Sequence, residues 1–167
     1  GLQGMINNLL EACDFPIGVK LNGEWKKTEK QHHGSIARVI SAIENYPQDQ
    51  DEPLQALIAK AKQKKIPILG ITGTGGAGKS SLVDELVLRY LQEFPDDKIG
   101  IISVDPSKRK TGGALLGDRI RMNAIANERV YMRSIATRQV NLALSKHIGD
   151  ALNVLKCANF DLVILET

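Results

Sequence analysis

At 167 residues, 43% hydrophobic and 25% charged, the chain has the balance of an ordinary soluble domain able to bury one sizeable core. Its net charge of +3 is too small for the dense basic face of a nucleic-acid binder. No basic leader precedes an apolar run, and no stretch reaches the roughly 18 consecutive apolar residues of a membrane span, so the expected compartment is the cytoplasm. Cys13 and Cys157, without a C-x-x-C spacing, read as free structural thiols and not as a disulfide or metal site.

In chain order, Ser35 is placed to cap a helix whose Ile36, Val39, Ile40 and Ile43 follow the spacing of one apolar face. Residues 46–53 read as linker, with Pro53 in the first turn of a second helix that carries Leu54, Leu57, Ile58 and Ala61. Residues 1–65 are therefore expected to form a helical linker, and residues 66–167 the N-terminal portion of a separate α/β domain. A start on Gly1 and an end on an apolar run predict a portion of a longer polypeptide. Residues 66–72 form a short apolar run of buried-strand type that leads into a glycine-rich stretch, and a helix follows from Lys79 with Leu82, Leu86, Leu88 and Leu91 as its apolar positions. A second strand over 98–104 ends at Asp105. Beyond it come a short helix near 119–126, a strand at 130–132, a long helix over 140–157 with Leu144, Ile148, Leu152 and Leu155 on one face, and a strand over 162–165 that ends at Glu166.

Strands alternating with helices predict a parallel sheet covered on both faces, whose ligands sit beyond the carboxyl ends of the strands. That rim carries Gly73, Asp105 and Glu166. The segment from Gly73 to Ser80 fits G-x-x-x-x-G-K-[ST], the phosphate-binding loop, in its strand-loop-helix context. Its glycines let backbone amides turn toward phosphate oxygens, Lys79 can reach the β and γ phosphates as the catalytic cation, and the Ser80 hydroxyl can ligate magnesium. Asp105, Asp118 and Glu166 are the candidate carboxylate ligands, enough for a second ion; Asp118 could instead cap the helix at Arg119, but the basic run around it, which would neutralise a triphosphate, favours the metal. Between Asp105 and Arg121 five basic residues face two acidic ones, a run that suits either a phosphate-facing or a solvated loop. His32 and His33 have no partner at ligand spacing and read as solvated. Arg133 and Arg138 are candidates for added charge or for structural roles.

The segments GITGTGGAGKSSL, VDPSKRKTGGALLGDRIRMNAI, VYMRSIATR and LVILET together resemble the G-protein chaperone domains of the fused isobutyryl-CoA mutases, relatives of the MeaB and ArgK GTPases. Residues 1–7 resemble the connector that leaves the cobalamin-binding domain in those fusions. The resemblance implies a SIMIBI-class P-loop GTPase that binds GTP and GDP, gates adenosylcobalamin loading and protects the mutase domains of the same polypeptide, which interconvert isobutyryl-CoA and n-butyryl-CoA as a homodimer. By motif position it implies Gly76, Ala77, Gly78, Lys79, Ser80 and Ser81 as the phosphate loop and Arg121 as a nucleotide contact. It further implies Ser80, Asp105, Asp118, Glu166 and Thr167 as the magnesium set, with the Val104 backbone beside them. Cobalamin belongs to the larger polypeptide, because the D-x-H-x-x-G signature is missing here; the N-K-x-D guanine motif is missing too, so the preference for GTP over ATP comes from the resemblance alone. The residues by themselves leave a small-molecule kinase and a non-hydrolysing interaction module open beside the chaperone GTPase.

Overall fold

The computed structural model describes residues 1–15, 18, 19, 21, 23–46, 52–106, 122–137 and 141–167. Four segments form strands: β1 (Ile68–Ile71), β2 (Ile99–Pro106), β3 (Val130–Thr137) and β4 (Leu162–Glu166), with isoleucine, leucine and valine dominant in all but β3. All pair in parallel, in the order β1-β4-β2-β3. The last strand is thus inserted between the first two. The long helices are α1 (Leu2–Cys13), α3 (His33–Asn45), α4 (Glu52–Lys62), α5 (Lys79–Glu93) and α6 (Asn141–Cys157), with a single turn, α2 (Trp25–Thr28), between α1 and α3. Among the described residues no helix is long and apolar enough to cross a membrane.

Strand alternation sends successive side chains to opposite faces of the sheet. Ile99, Ile101, Val130, Met132 and Ile164 meet Val83, Val87 and Leu91 of α5, while Ile102, Tyr131, Ile135 and Val163 meet α3, α4 and α6 on the other face. Ile36, Val39, Ile40 and Ile43 of α3 and Leu54 and Ile58 of α4 share that second cluster with the sheet. The first helix behaves differently: Leu2, Met5, Ile6, Leu9 and Leu10 form an apolar stripe and all are exposed.

Several local expectations shift. The N-cap of α3 is His32, whose Nδ1 accepts the Ser35 N–H at 3.2 Å, and Ser35 lies inside the first turn with its hydroxyl 3.0 Å from the same nitrogen. An imidazole nitrogen can stand in for the usual hydroxyl cap because both offer an acceptor lone pair. His32 and His33 are exposed as expected, yet His33 also packs edge-on against Tyr131, and partial burial followed by the neighbouring His32 lowers its pKa below 6.5. On α5 the core face is Val83, Val87 and Leu91, whereas Leu82 and Leu88 are 58% and 38% exposed. On α6 it is Ala151, Val154 and Leu155, with Leu152 partly buried. β3 is longer than expected. Of the helix expected near 119–126, the described part is a 3-10 turn, Ala124–Ala126. β1 is an edge strand whose Ile68 and Leu69 are 42% and 40% exposed, because the described residues pair it only with β4.

The C-terminus of α5 is closed by Arg129, whose guanidinium donates to the carbonyls of Leu91, Phe94 and Pro95 at 3.3, 3.2 and 2.7 Å. Carbonyls that lack intrahelical partners are satisfied there by a charge that also suits the negative helix end.

The two thiols differ in environment. Cys157 is buried, its sulfur sits 3.4 Å from the Leu57 carbonyl, and burial pushes its pKa up to about 11; Cys13 is exposed on α1 and so has no packing role. At pH 8 a thiol reagent is expected to modify Cys13 in the native chain and Cys157 only on unfolding, because the thiolate is the reactive species. Two fast, equal modification phases in native protein would contradict this.

Candidate functional site

The glycine-rich loop leaves β1 at the rim and enters α5. Gly76 and Gly78 hold φ of 79° and 82°, a left-handed backbone that side-chain-bearing residues rarely adopt. A turn closed by Ala77 N–H to Thr74 O at 3.2 Å brings the loop back toward the helix. Gly78 caps α5 without a side-chain hydrogen bond, and the first turn contains no acidic residue, so no side chain of the helix competes for its amides. This is the arrangement that receives anions at a helix start. Lys79 folds back over the loop, and its Nζ donates to the carbonyls of Gly73 and Thr74 at 2.9 and 3.1 Å. Gly76, Ala77, Gly78 and Ser81 are exposed, which leaves the loop open to a ligand.

The inserted strand explains how the carboxylate reaches this loop. In register, Glu166 stands beside Ile71 of β1 on one side and Ser103 of β2 on the other. Ser80 Oγ donates to Glu166 Oε1 at 2.8 Å across 86 residues of sequence. Glu166 is only 3% exposed, and its second oxygen, Oε2, has no hydrogen-bond partner among the described residues. Buried carboxyl oxygens are nearly always satisfied, so an orphan at this point marks a place for a positive or donating group. Thr167, next in the chain and exposed, donates its N–H to Ile71 O at 2.9 Å and fixes the end of β4 to the start of the loop.

Asp105 belongs to β2, two residues beyond Ser103 and opposite Ala136, so its backbone stands at the same rim; Val104 pairs with Ile135. Asp118 and Arg121, together with Lys108, Arg109, Lys110 and Arg138, lie outside the described residues. Arg133 has a structural role on the α3 face, where its guanidinium donates to Ser41 Oγ and Glu44 Oε2, each at 3.0 Å. The partners of Ser80 and Arg129 were not readable from spacing, because both contacts join distant segments.

A family profile described as "Methylmalonyl Co-A mutase-associated GTPase MeaB" matches residues 36–167. The chain belongs to the MeaB GTPase family. The MeaB match begins inside α3, in agreement with the burial of α3 and α4 on the sheet. Relatives include the fused isobutyryl-CoA mutases of Geobacillus kaustophilus, 54% identical over 100% of this chain and 16% of the relative, and of Cupriavidus metallidurans, 46% identical over 100% of this chain and 15% of the relative. The chain therefore spans about a sixth of the length of these relatives. Among solved structures, a protein described as a LAO/AO transport system kinase superimposes with a TM-score of 0.63 at 21% identity, covering 88% of this chain and 42% of that one. That likeness places the MeaB-type sheet and loop in the α/β P-loop fold.

Proposed function

We propose that this chain supplies the phosphate- and magnesium-binding half of a domain that binds and hydrolyses GTP, acting in the cytoplasm within a longer polypeptide. There the domain gates adenosylcobalamin loading for an acyl-CoA mutase that converts isobutyryl-CoA and n-butyryl-CoA and works as a homodimer. Family membership and the fused relatives support this reading, and the observation that carries it is the Ser80–Glu166 pair with its orphaned Oε2 at the start of the P-loop helix.

The donor set fits magnesium. A hydroxyl and a carboxylate are hard oxygen donors, one carboxyl oxygen is buried without a partner among the described residues, and a phosphate-receiving loop adjoins both. Ser80 and Glu166 would hold the ion, joined in the proposed set by Asp105, Asp118 and Thr167. When bound, the ion supplies neutralisation of charge on the β and γ phosphates. Lys79 exchanges the Gly73 and Thr74 carbonyls for phosphate oxygens, a stronger charge-assisted contact. The amides from Gly76 to Ser81 orient the phosphates against the helix start, and Arg121 is the further nucleotide contact.

The test is calorimetric titration of the full polypeptide with non-hydrolysable GTP and ATP analogues, with and without magnesium. Magnesium-dependent preference for the GTP analogue is expected. Preference for ATP would sink the GTPase reading in favour of a kinase on the same scaffold.

A further inference from the structure

On the sheet face that packs against α5, the apolar side chains give way to a polar row. Ile99 and Ile101 of β2, Val130 and Met132 of β3 and Ile164 of β4 share a buried cluster with Val83 and Val87. Alternation along each strand puts the next residues of that face at Ser103, Ser134 and Glu166. The register makes them neighbours: Glu166 stands beside Ser103, and Ser103 beside Ser134. Three strands thus set a carboxylate and two hydroxyls side by side, and Ser80 of α5 bonds to the carboxylate end. Ser103 and Glu166 are 2% and 3% exposed. The Ser134 Oγ is buried as well, and like Glu166 Oε2 it has no hydrogen-bond partner among the described residues. Buried oxygens of this kind are satisfied by ordered water where the protein does not reach them.

We propose that Ser103 and Ser134 are positioning residues for the magnesium site: they hold a file of ordered water against Glu166 and so fix the carboxylate from behind. The proposal rests on the reading of Glu166 as a magnesium ligand. The spacing of the row suits water. Neighbouring strands lie about 4.8 Å apart, and two hydrogen bonds of about 2.8 Å meeting at a tetrahedral water span about 4.6 Å. One water therefore bridges each step, from Glu166 to Ser103 and from Ser103 to Ser134. A serine hydroxyl both donates and accepts, so it continues such a file without adding charge. Hydrogen bonds behind a metal-binding carboxylate hold its orientation, and magnesium retains several of its own waters, which need fixed partners beside it. Neither serine touches metal or nucleotide. A polar row with a purely structural role would change the melting temperature and leave the metal response alone, which separates the two roles.

The experiment compares the full polypeptide with its Ser103→Ala, Ser134→Val and Ser134→Thr variants. It measures the magnesium midpoint for binding of whichever non-hydrolysable analogue, of GTP or of ATP, binds more tightly, together with the metal-free affinity for that analogue and the melting temperature. Valine and threonine share a shape, so their difference isolates the hydroxyl at 134. Ser103→Ala and Ser134→Val are expected to raise the magnesium midpoint roughly tenfold, as lost outer-shell partners of a metal ligand do, and to leave metal-free affinity within about twofold. Ser134→Thr is expected to stay near wild type. A melting shift without a midpoint shift, or a threonine variant as impaired as the valine, overturns the proposal. If a variant does not fold, diffraction from crystals of the unaltered polypeptide with magnesium and the analogue decides. Ordered water bridging Ser103 Oγ to Glu166 Oε2 and to Ser134 Oγ is expected, and any other partners at those oxygens overturn the idea. A wild type whose nucleotide binding ignores magnesium refutes the metal reading and this proposal together, whereas a normal wild-type response with unmoved serine variants refutes the proposal alone.

Discussion

Replacing Lys79 with alanine is expected to weaken binding of a magnesium-GTP analogue by on the order of 100-fold or more while the fold persists. A lysine that contacts two phosphates makes charge-assisted hydrogen bonds worth about 1.5–3 kcal/mol each, and about 1.4 kcal/mol corresponds to a factor of ten in affinity. The cost to the free protein is small because the two carbonyls that Nζ engages, on Gly73 and Thr74, belong to exposed residues and pass to water. Lys79→Arg should not rescue the loss. The planar guanidinium is broader than an ammonium, and the loop wraps the side chain within 2.9 and 3.1 Å of its own backbone oxygens. Calorimetry beside a thermal melt reads both quantities, and affinity within threefold of wild type would remove Lys79 from the phosphate site.

The second large effect is expected from Glu166→Gln. The amide is nearly the size of the carboxylate, and its Oε1 can still accept from Ser80, so packing around this 3% exposed side chain survives. What disappears is a negative oxygen: the unpartnered Oε2 becomes an NH2 group that repels a cation. Magnesium should then no longer strengthen nucleotide binding, and GTP hydrolysis should fall by roughly two orders of magnitude, in line with the several kcal/mol that metal ions contribute to phosphoryl chemistry. The melt provides an independent view. Saturating ligand near 100 times its Kd stabilises a fold by about 2.7 kcal/mol, and in Glu166→Gln the magnesium-dependent part of that gain should vanish. If the variant keeps a wild-type magnesium response, Glu166 is no ligand.

The phosphate loop was legible because its chemistry is contiguous: Gly76, Gly78, Lys79 and Ser80 are neighbours in sequence, and the left-handed backbone at both glycines is the geometry their lack of Cβ permits. The strands that carry Asp105 and Glu166 were legible from their apolar runs, although β2 continues in register through Asp105 and Pro106, past the expected end at 104. The phase of α5 was not. Leucines attracted the reading to Leu82 and Leu88, but Lys79 and Ser80 turn toward the rim and so rotate Val83, Val87 and Leu91 onto the sheet. Nor could spacing reveal that Asp84 holds Ala124, that Arg129 closes α5, or that His32 caps α3 in place of Ser35. Each depends on which segments the fold brings side by side, and that information resides in the tertiary arrangement.

The insertion of β4 between β1 and β2 also has a temporal meaning. During synthesis the segment with the glycine loop and the segment with Asp105 leave the ribosome early, yet neither can hydrogen-bond to the other, because the lane between them belongs to residues 162–166. Pairing over such sequence distance is slow and leaves strand edges bare meanwhile. The Ser80–Glu166 contact therefore waits for the strand made last, after both of its neighbours have been synthesised.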